Sequence, residues 1–275
     1  MDGLIYLKAV ILGVLEGATE FLPVSSTGHL IIASELMDFR GDTAKTFDIF
    51  IQLGAILAIV WHYRARVANV SRGLVHGEPA ARRFVTHLLI AFLPAAVLGF
   101  ALHSFIKGYL FNAITVASAL IVGGFIILWV ESRANKPKVH SVDEMTARHA
   151  LLVGLAQSAA LFPGVSRAGA TIMGGMLSGL SREAATEFSF FLAIPTMFAA
   201  TTYDLFKSRH LLHGEHALLF ATGFIFAFIS ALIVVRTLLH FVSRYSFRPF
   251  AYYRIVFGTL ILLLAGAGVV TFQGI

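Results

Sequence analysis

Long apolar segments separated by short polar stretches run along the whole chain. Most of them reach the ~17–25 residues that an α-helix needs to cross a bilayer. The pattern therefore predicts six uninterrupted membrane-spanning helices, at Phe47–His62, Phe84–Ile106, Ala113–Val130, Thr186–Tyr203, Ala217–Val235 and Phe250–Phe272.

Polar residues break two further apolar segments. The first contains EGATEFLPVSSTGH (Glu16–His29) and the second contains PGVSRAGAT (Pro163–Thr171). Irregular backbone at membrane depth occurs only where protein or a wet cavity shields it. We therefore predict that each broken segment forms a re-entrant hairpin, which enters the membrane and returns on the same side.

The two broken segments belong to an internal repeat. GVLEGATEFLPVSSTGHLI (13–31) aligns without a gap on GLAQSAALFPGVSRAGATI (154–172), which places Ser26 on Arg167. Each repeat then holds one hairpin and three spans, and an odd number of crossings inverts the second repeat. We predict an all-α polytopic membrane protein with a single domain over residues 1–275, made of two inverted-topology repeats (about 1–140 and 141–275).

Composition and charge agree with a membrane protein and orient it. The chain is 57% hydrophobic and only 13% charged, and the absence of cysteine excludes disulfides and thiolate metal sites. Thirteen Lys and Arg residues fall on one side of the predicted membrane and six on the other: Lys8, Arg40, Lys45, Lys107, Lys207 and Arg209. The positive-inside rule makes the richer side cytoplasmic, so both termini are expected outside. No soluble basic domain is present, so we expect no nucleic-acid partner.

The first hairpin carries candidate metal ligands. Glu16 and Glu20 are four residues apart and share one face of a helix. Ionisable groups within a membrane are costly enough that they point to function. A carboxylate pair beside hydroxyls suits a hard divalent cation, Mg²⁺ or alternatively Ca²⁺.

Both hairpins also offer an anion site. Pro23 ends the first half-helix, and serine and threonine side chains follow as natural N-caps. The start of a helix binds anions through its free N–H groups and its dipole. Arg167 adds a guanidinium, which can bind a phosphate through two N–H donors at once. We expect the following residues to bind a phosphate or diphosphate: Ser25, Thr27, Gly164, Ser166 and Thr171.

A nucleophile and two candidate bases lie in the same stretch. His29 follows Ser26 by three residues, so both can share a helix face, and a serine needs an adjacent base to become nucleophilic. We expect the Arg167 guanidinium within about 8 Å of the nearest of the Glu20, Ser26 and His29 side chains, which allows one bridging water or ion.

At these residues the chain resembles the undecaprenyl-diphosphate phosphatase family, the bacitracin-resistance type of bacterial inner-membrane lipid phosphatase. EGATEFLPVSSTGH matches the family's E-G-x-T-E-F-L-P-V-S-S-T-G-H signature, and PGVSRAGAT matches P-G-x-S-R-S-x-A-T except that Ala168 replaces a serine. The resemblance implies hydrolysis of undecaprenyl diphosphate to the monophosphate, with a divalent cation, which recycles the lipid carrier for peptidoglycan synthesis. By motif it implies functional roles for Glu16, Glu20, Ser26, His29 and Arg167.

The proposed chemistry has open alternatives. Ser26 attacks the terminal phosphorus, and either His29 or Glu20 takes its proton; attack by water or by His29 is the other route. We expect the site to open towards the periplasm and the chain to allow a homodimer. A secondary transporter or lipid flippase is the rival function, because broken helices in inverted repeats are typical of transporters. An acid-phosphatase-type enzyme ranks last, since Met173 stands where its motif needs histidine.

Overall fold

The computed structural model describes residues 3–110, 112–133, 137–207 and 216–268, and within these ranges the chain is helical without a β-strand. In chain order the α-helices are α1 Gly3–Thr19, α2 Ser26–Leu36, α3 Asp42–His62, α4 Arg64–Val75, α5 Pro79–Phe105, α6 Ala113–Ser132, α7 Ala147–Ser158, α8 Arg167–Ser178, α9 Arg182–Lys207, α10 Ala217–Val242 and α11 Arg248–Gly266. Short π- and 3₁₀-helical turns at Ile106–Leu110, Val142–Glu144 and Ala159–Leu161 adjoin them.

Six of the described helices are long and apolar enough to cross a membrane: α3, α5, α6, α9, α10 and α11. They coincide with the six predicted spans, so this prediction is confirmed. Large apolar side chains also cover the outer surface, as at Phe100, which is 85% exposed, and Leu263. Soluble monomers rarely expose apolar patches on this scale. The chain is therefore a multi-pass membrane protein; the end of the last predicted span, 269–272, lies outside the described residues.

The two broken segments form pairs of shorter helices, α1 with α2 and α7 with α8. At both breaks a serine adopts a left-handed backbone, with φ of 71° at Ser25 and 73° at Ser166. Each serine then caps the following helix, because its hydroxyl accepts a hydrogen bond from the N–H of Gly28 or Gly169. Equivalent positions of the repeat therefore break and restart in the same way.

The first helix of each pair packs closely on a span from the other half of the chain. α1 contacts α10, and α7 contacts α5. A Cβ atom on Gly13 would lie 2.4 Å from the Gly223 carbonyl oxygen, and one on Gly154 would lie 2.5 Å from that of Ala91. Small residues at these crossings let the helix backbones approach, as is common between helices in membranes.

The spans differ in how deeply they lie within the bundle. In the apolar stretch of α9, 61% of residues are buried, compared with 50% in α3 and 17% in α5. α3 and α9 contact each other and are the two most buried of the described spans, so they form the centre of the bundle. Both broken pairs lie against this centre, since α1 contacts α3 and α8 contacts α9.

A polar cluster joins the ends of three elements away from the breaks. Arg182 at the start of α9 donates two hydrogen bonds to the buried Glu131 carboxylate at the end of α6, at 3.0 and 2.5 Å. The N–H of Phe247, just before α11, donates to the same carboxylate at 2.7 Å. This carboxylate therefore fixes α6, α9 and α11 at one end of the bundle.

One described helix had no counterpart among the predicted elements. α4 directly follows α3, and Gly73 is its only buried residue. Its sequence, RARVANVSRGLV, lacks the long apolar run by which the spans were identified.

Candidate active site

A continuous hydrogen-bonded chain joins the two broken segments. The Ser26 hydroxyl donates to Glu20 Oε2 at 2.5 Å, and Arg167 Nη2 donates to Glu20 Oε1 at 3.1 Å. Ser26 and Glu20 are only 7% and 9% exposed. The predicted proximity of Arg167 to the first hairpin is confirmed by this ion pair. The serine hydroxyl thus has a carboxylate acceptor in place, and each carboxylate oxygen has its own partner.

Side chains and backbone of α9 hold the Arg167 guanidinium from the other side. Nη1 donates to the carbonyl oxygen of Ser189 at 3.0 Å, and Nη2 also approaches Met197 Sδ at 3.2 Å. The guanidinium lies over the Phe21 ring, 5.6 Å from its centroid. Arg167 Nε has no hydrogen-bond partner among the described residues, so this N–H of the guanidinium is available to a ligand.

A second arginine, Arg254 of α11, brings the two breaks together. Its Nη1 donates both to the Pro23 carbonyl at 3.1 Å and to the Val165 carbonyl at 2.9 Å. Since one nitrogen reaches both oxygens, the two breaks lie side by side and the starts of α2 and α8 are neighbours. Three further carbonyls accept from the same guanidinium: those of Ala119, Leu120 and Gly164.

His29 lies beside this chain, and the described residues include no hydrogen bond from it to Ser26. Its Nδ1 is 2.7 Å from the Ser25 carbonyl oxygen, and its Nε2 is 2.6 Å from the Tyr253 hydroxyl. The imidazole also stacks on Phe257, with ring centroids 4.3 Å apart. Of the two bases that sequence analysis left open for Ser26, the structure therefore places Glu20 at the hydroxyl.

Glu16 is the least satisfied polar side chain of the site. It is completely buried, and neither of its carboxylate oxygens has a hydrogen-bond partner among the described residues. Asp48 of α3 likewise has an unpartnered buried Oδ1. Buried carboxylates without donors are costly and are normally paired or bound to a cation. Within the described ranges no three His, Asp or Glu side chains form a ready-made metal cluster.

The remaining predicted residues lie at the two helix starts. Thr27 is half-buried in the first turn of α2. Gly164 has a φ of 92° and its carbonyl binds Arg254, while a Cβ there would lie 2.4 Å from the Val116 carbonyl oxygen. Thr171 is fully buried, and its hydroxyl lies 2.6 Å from that of Ser189. Whether Thr27, Gly164 and Thr171 touch a substrate stays a prediction.

The structure adds residues that sequence reasoning had not assigned to the site: Phe21, Ser189, Met197, Tyr253, Arg254 and Phe257. An arginine in an apolar segment is itself a functional signal, so Arg254 was open to detection. The others are ordinary residues of apolar helices, and no spacing distinguishes them.

Comparison with known sequences shows the family of this chain. The sequence model described as bacitracin resistance protein BacA matches residues 9–260. Proteins named undecaprenyl-diphosphatase are similar over nearly their full length. That of Nitrosomonas eutropha is 55% identical over 99% of both chains, and that of Nitrosospira multiformis is 56% identical over 100% of both. Undecaprenyl-diphosphatase 2 of Rhodospirillum rubrum is 55% identical over 99% of this chain and 100% of its own. The chain therefore belongs to the bacitracin resistance protein BacA family.

Proposed function

We infer that this chain hydrolyses undecaprenyl diphosphate to undecaprenyl phosphate and inorganic phosphate. Relatives named for this activity match it from end to end. The observation that carries the inference to this chain is the hydrogen-bonded series Ser26–Glu20–Arg167, which aligns a nucleophile, a proton acceptor and a phosphate ligand. The reaction recycles the lipid carrier for peptidoglycan synthesis and contributes to bacitracin resistance.

Ser26 is the attacking group in this mechanism. Its Oγ forms a bond to the terminal phosphorus, while the hydroxyl proton passes to Glu20 Oε2, 2.5 Å away. The bond from phosphorus to the bridging oxygen breaks, and undecaprenyl phosphate leaves. Water then cleaves the phosphoserine, inorganic phosphate departs, and Glu20 returns the proton to Ser26.

The charge of the transferring phosphoryl group is balanced by donors already in place. Arg167 is held by Glu20 and Ser189, and its Nε is free for a phosphate oxygen. The starts of α2 and α8 add backbone N–H groups and the positive ends of two helix dipoles. Donors fixed before the reaction lower its barrier because they need no reorganisation as charge develops.

The buried carboxylates suit a divalent cation. Both oxygens of Glu16 lack a partner, and Glu20 lies one helical turn further along. Mg²⁺ is usually held by one or two carboxylates together with substrate phosphates, which fits the absence of a larger described cluster. Glu16 and Glu20 would hold Mg²⁺, or alternatively Ca²⁺, and the bound ion would neutralise phosphate oxygens.

We further propose that the single membrane domain consists of two inverted repeats, each with a re-entrant hairpin and three spans. Support comes from the matching left-handed serines, Ser25 and Ser166, and from the reciprocal packing of α1 on α10 and α7 on α5. With the basic side in the cytoplasm, the first hairpin enters from the periplasm. The site of this inner-membrane enzyme then opens to the periplasmic side.

Phosphate release from a purified polyprenyl diphosphate, with and without a chelator, tests the proposal. We expect release by the wild-type protein, loss of release with the chelator, and recovery when Mg²⁺ is added back. A transporter or flippase would bind the lipid but release no phosphate. Release that a chelator does not change would contradict the metal assignment and leave the hydrolase assignment standing.

A further inference from the structure

Both ring nitrogens of His29 have fixed partners. A carbonyl oxygen can only accept a hydrogen bond, so Nδ1, 2.7 Å from the Ser25 carbonyl, carries the proton. In the neutral imidazole Nε2 then holds the lone pair, and it accepts from the Tyr253 hydroxyl at 2.6 Å. The pair of hydrogen bonds therefore selects one tautomer, with Nε2 as its basic atom.

In this arrangement His29 and Ser26 have different hydrogen-bond partners. The serine hydroxyl donates to Glu20, whereas the basic nitrogen of His29 points to Tyr253. A phosphoserine mechanism needs a proton acceptor twice, first for the serine and then for the attacking water. The structure offers two separate acceptors, each with its own partner.

The imidazole is fixed in orientation by α11. It stacks on the Phe257 ring, with centroids 4.3 Å apart, and lies nearly parallel to the Tyr253 ring, with centroids 5.6 Å apart. His29 itself is 6% exposed, whereas Tyr253 is 45% exposed. Nε2 is therefore directed towards a side chain that reaches the outside of the bundle.

We propose that Tyr253 is a positioning residue that assigns His29 to the second half of the reaction. This inference rests on the proposed hydrolase function. In that half-reaction the hydrogen bond from the Tyr253 hydroxyl to His29 Nε2 opens, and water forms a bond to phosphorus and gives one proton to the freed Nε2. This proton then leaves with the departing inorganic phosphate. The bond from phosphorus to Ser26 Oγ breaks, and Oγ regains the proton that Glu20 took in the first half. Between turnovers the Tyr253 hydroxyl donates to Nε2 and so holds the imidazole in one orientation, with Nε2 as its basic atom.

The test compares Tyr253→Phe with Tyr252→Phe. Tyr252 is the preceding residue of α11, is 58% exposed and has no hydrogen bond assigned among the described residues, so its variant is a matched control. Polyprenyl diphosphate with a radiolabelled terminal phosphate is mixed with each protein and quenched in acid at short times. Protein-bound label reports phosphoserine, and released label reports its hydrolysis.

We expect Tyr253→Phe to accumulate phosphoserine because its hydrolysis slows about tenfold or more, within the ~10²–10⁴-fold that a general base contributes. Tyr253→Phe should form the phosphoserine at the wild-type rate. Tyr252→Phe should carry out both steps at the wild-type rates. Equal slowing of both steps, or no accumulation of label on Tyr253→Phe, would overturn the inference while wild-type phosphate release sustains the hydrolase function. A wild-type protein that releases no phosphate would overturn both.

Discussion

Glu20 has a different partner on each of its carboxylate oxygens: Oε2 accepts from Ser26 and Oε1 from Arg167. These two hydrogen bonds fix the orientation of the carboxylate, so that Oε2 faces Ser26 and is not bound by the Arg167 guanidinium. The short backbone link from Glu20 to Glu16, with N–H to carbonyl oxygen at 2.9 Å, continues the α1 hydrogen-bond pattern to this residue. The proton acceptor is thus held by a helix end as well as by its side-chain partners.

Ser26→Ala removes the attacking atom and little else. We expect turnover to fall by several orders of magnitude, as for other lost nucleophiles, while substrate binding stays close to wild type. Steady-state phosphate release and binding of a non-hydrolysable diphosphate measure the two effects. Ser178→Ala is the control, because that hydroxyl only donates to the Gly175 carbonyl at the far end of α8. If Ser26→Ala kept more than about a tenth of wild-type activity, the barrier would have changed by less than ~1.4 kcal/mol. Ser26 would then act only as a helix cap and phosphate ligand.

The starts of α2 and α8 form one structural unit through α11. Left-handed backbone at a residue other than glycine is costly and persists only when the surroundings hold it. At both Ser25 and Ser166 the preceding residues are held by Arg254, through the carbonyls of Pro23, Gly164 and Val165. The arginine therefore supports the strained backbone on which the anion site depends.

Arg254→Lys tests this unit. Lysine has three N–H donors in place of five, so at least two hydrogen bonds from a buried charge are lost, about 3 kcal/mol or more. We expect lower thermal stability and also lower kcat at temperatures where the variant is still folded. Arg182→Lys is the control, since it disturbs the Glu131 ion pair outside the site and should lower stability alone. Equal kcat in the two variants would show that Arg254 is structural only.

Sequence patterns were sufficient for features that depend on local chain properties. The six spans followed from apolar length, and the breaks followed from Pro23, Pro163 and the capping serines. The proximity of Arg167 to the first hairpin was predicted from the repeat, which places Ser26 on Arg167, and the ion pair with Glu20 confirms it.

The partners of His29 and Arg254 were not accessible in this way. Tyr253 is 224 positions from His29 in sequence, and the Arg254 partners are main-chain atoms, which leave no mark on residue type. The choice between His29 and Glu20 for Ser26 also depended on side-chain directions across the break. Helix α4 was missed because its sequence has neither the length nor the apolar character of a span.

For the whole molecule, the basic residues and the reciprocal helix packing make one arrangement in the membrane testable. The natural chain contains no cysteine, so single cysteines can be introduced without a background. Asp42 at the start of α3 and Lys138 before α7 are both exposed. The proposed orientation places them on opposite sides of the membrane.

An impermeant thiol reagent applied to intact cells should label a cysteine at Asp42 and spare one at Lys138. Labelling of both after the membrane is opened is the control for reactivity. The reverse pattern in intact cells would show that the chain has the opposite orientation in the membrane. Labelling of both cysteines would contradict the inverted repeat.

Arg254 also has a genetic consequence. All five acceptors of its guanidinium are main-chain carbonyls, from Pro23, Ala119, Leu120, Gly164 and Val165. A side-chain substitution at one of these five residues leaves its main-chain carbonyl in place, so the hydrogen bond from Arg254 is retained. For the same reason a charge swap at an acceptor cannot restore a lost Arg254, since none of its acceptors among the described residues is a side chain. Selection for second-site suppressors of Arg254 variants should thus return reversion at Arg254 and no charge swap at its acceptors.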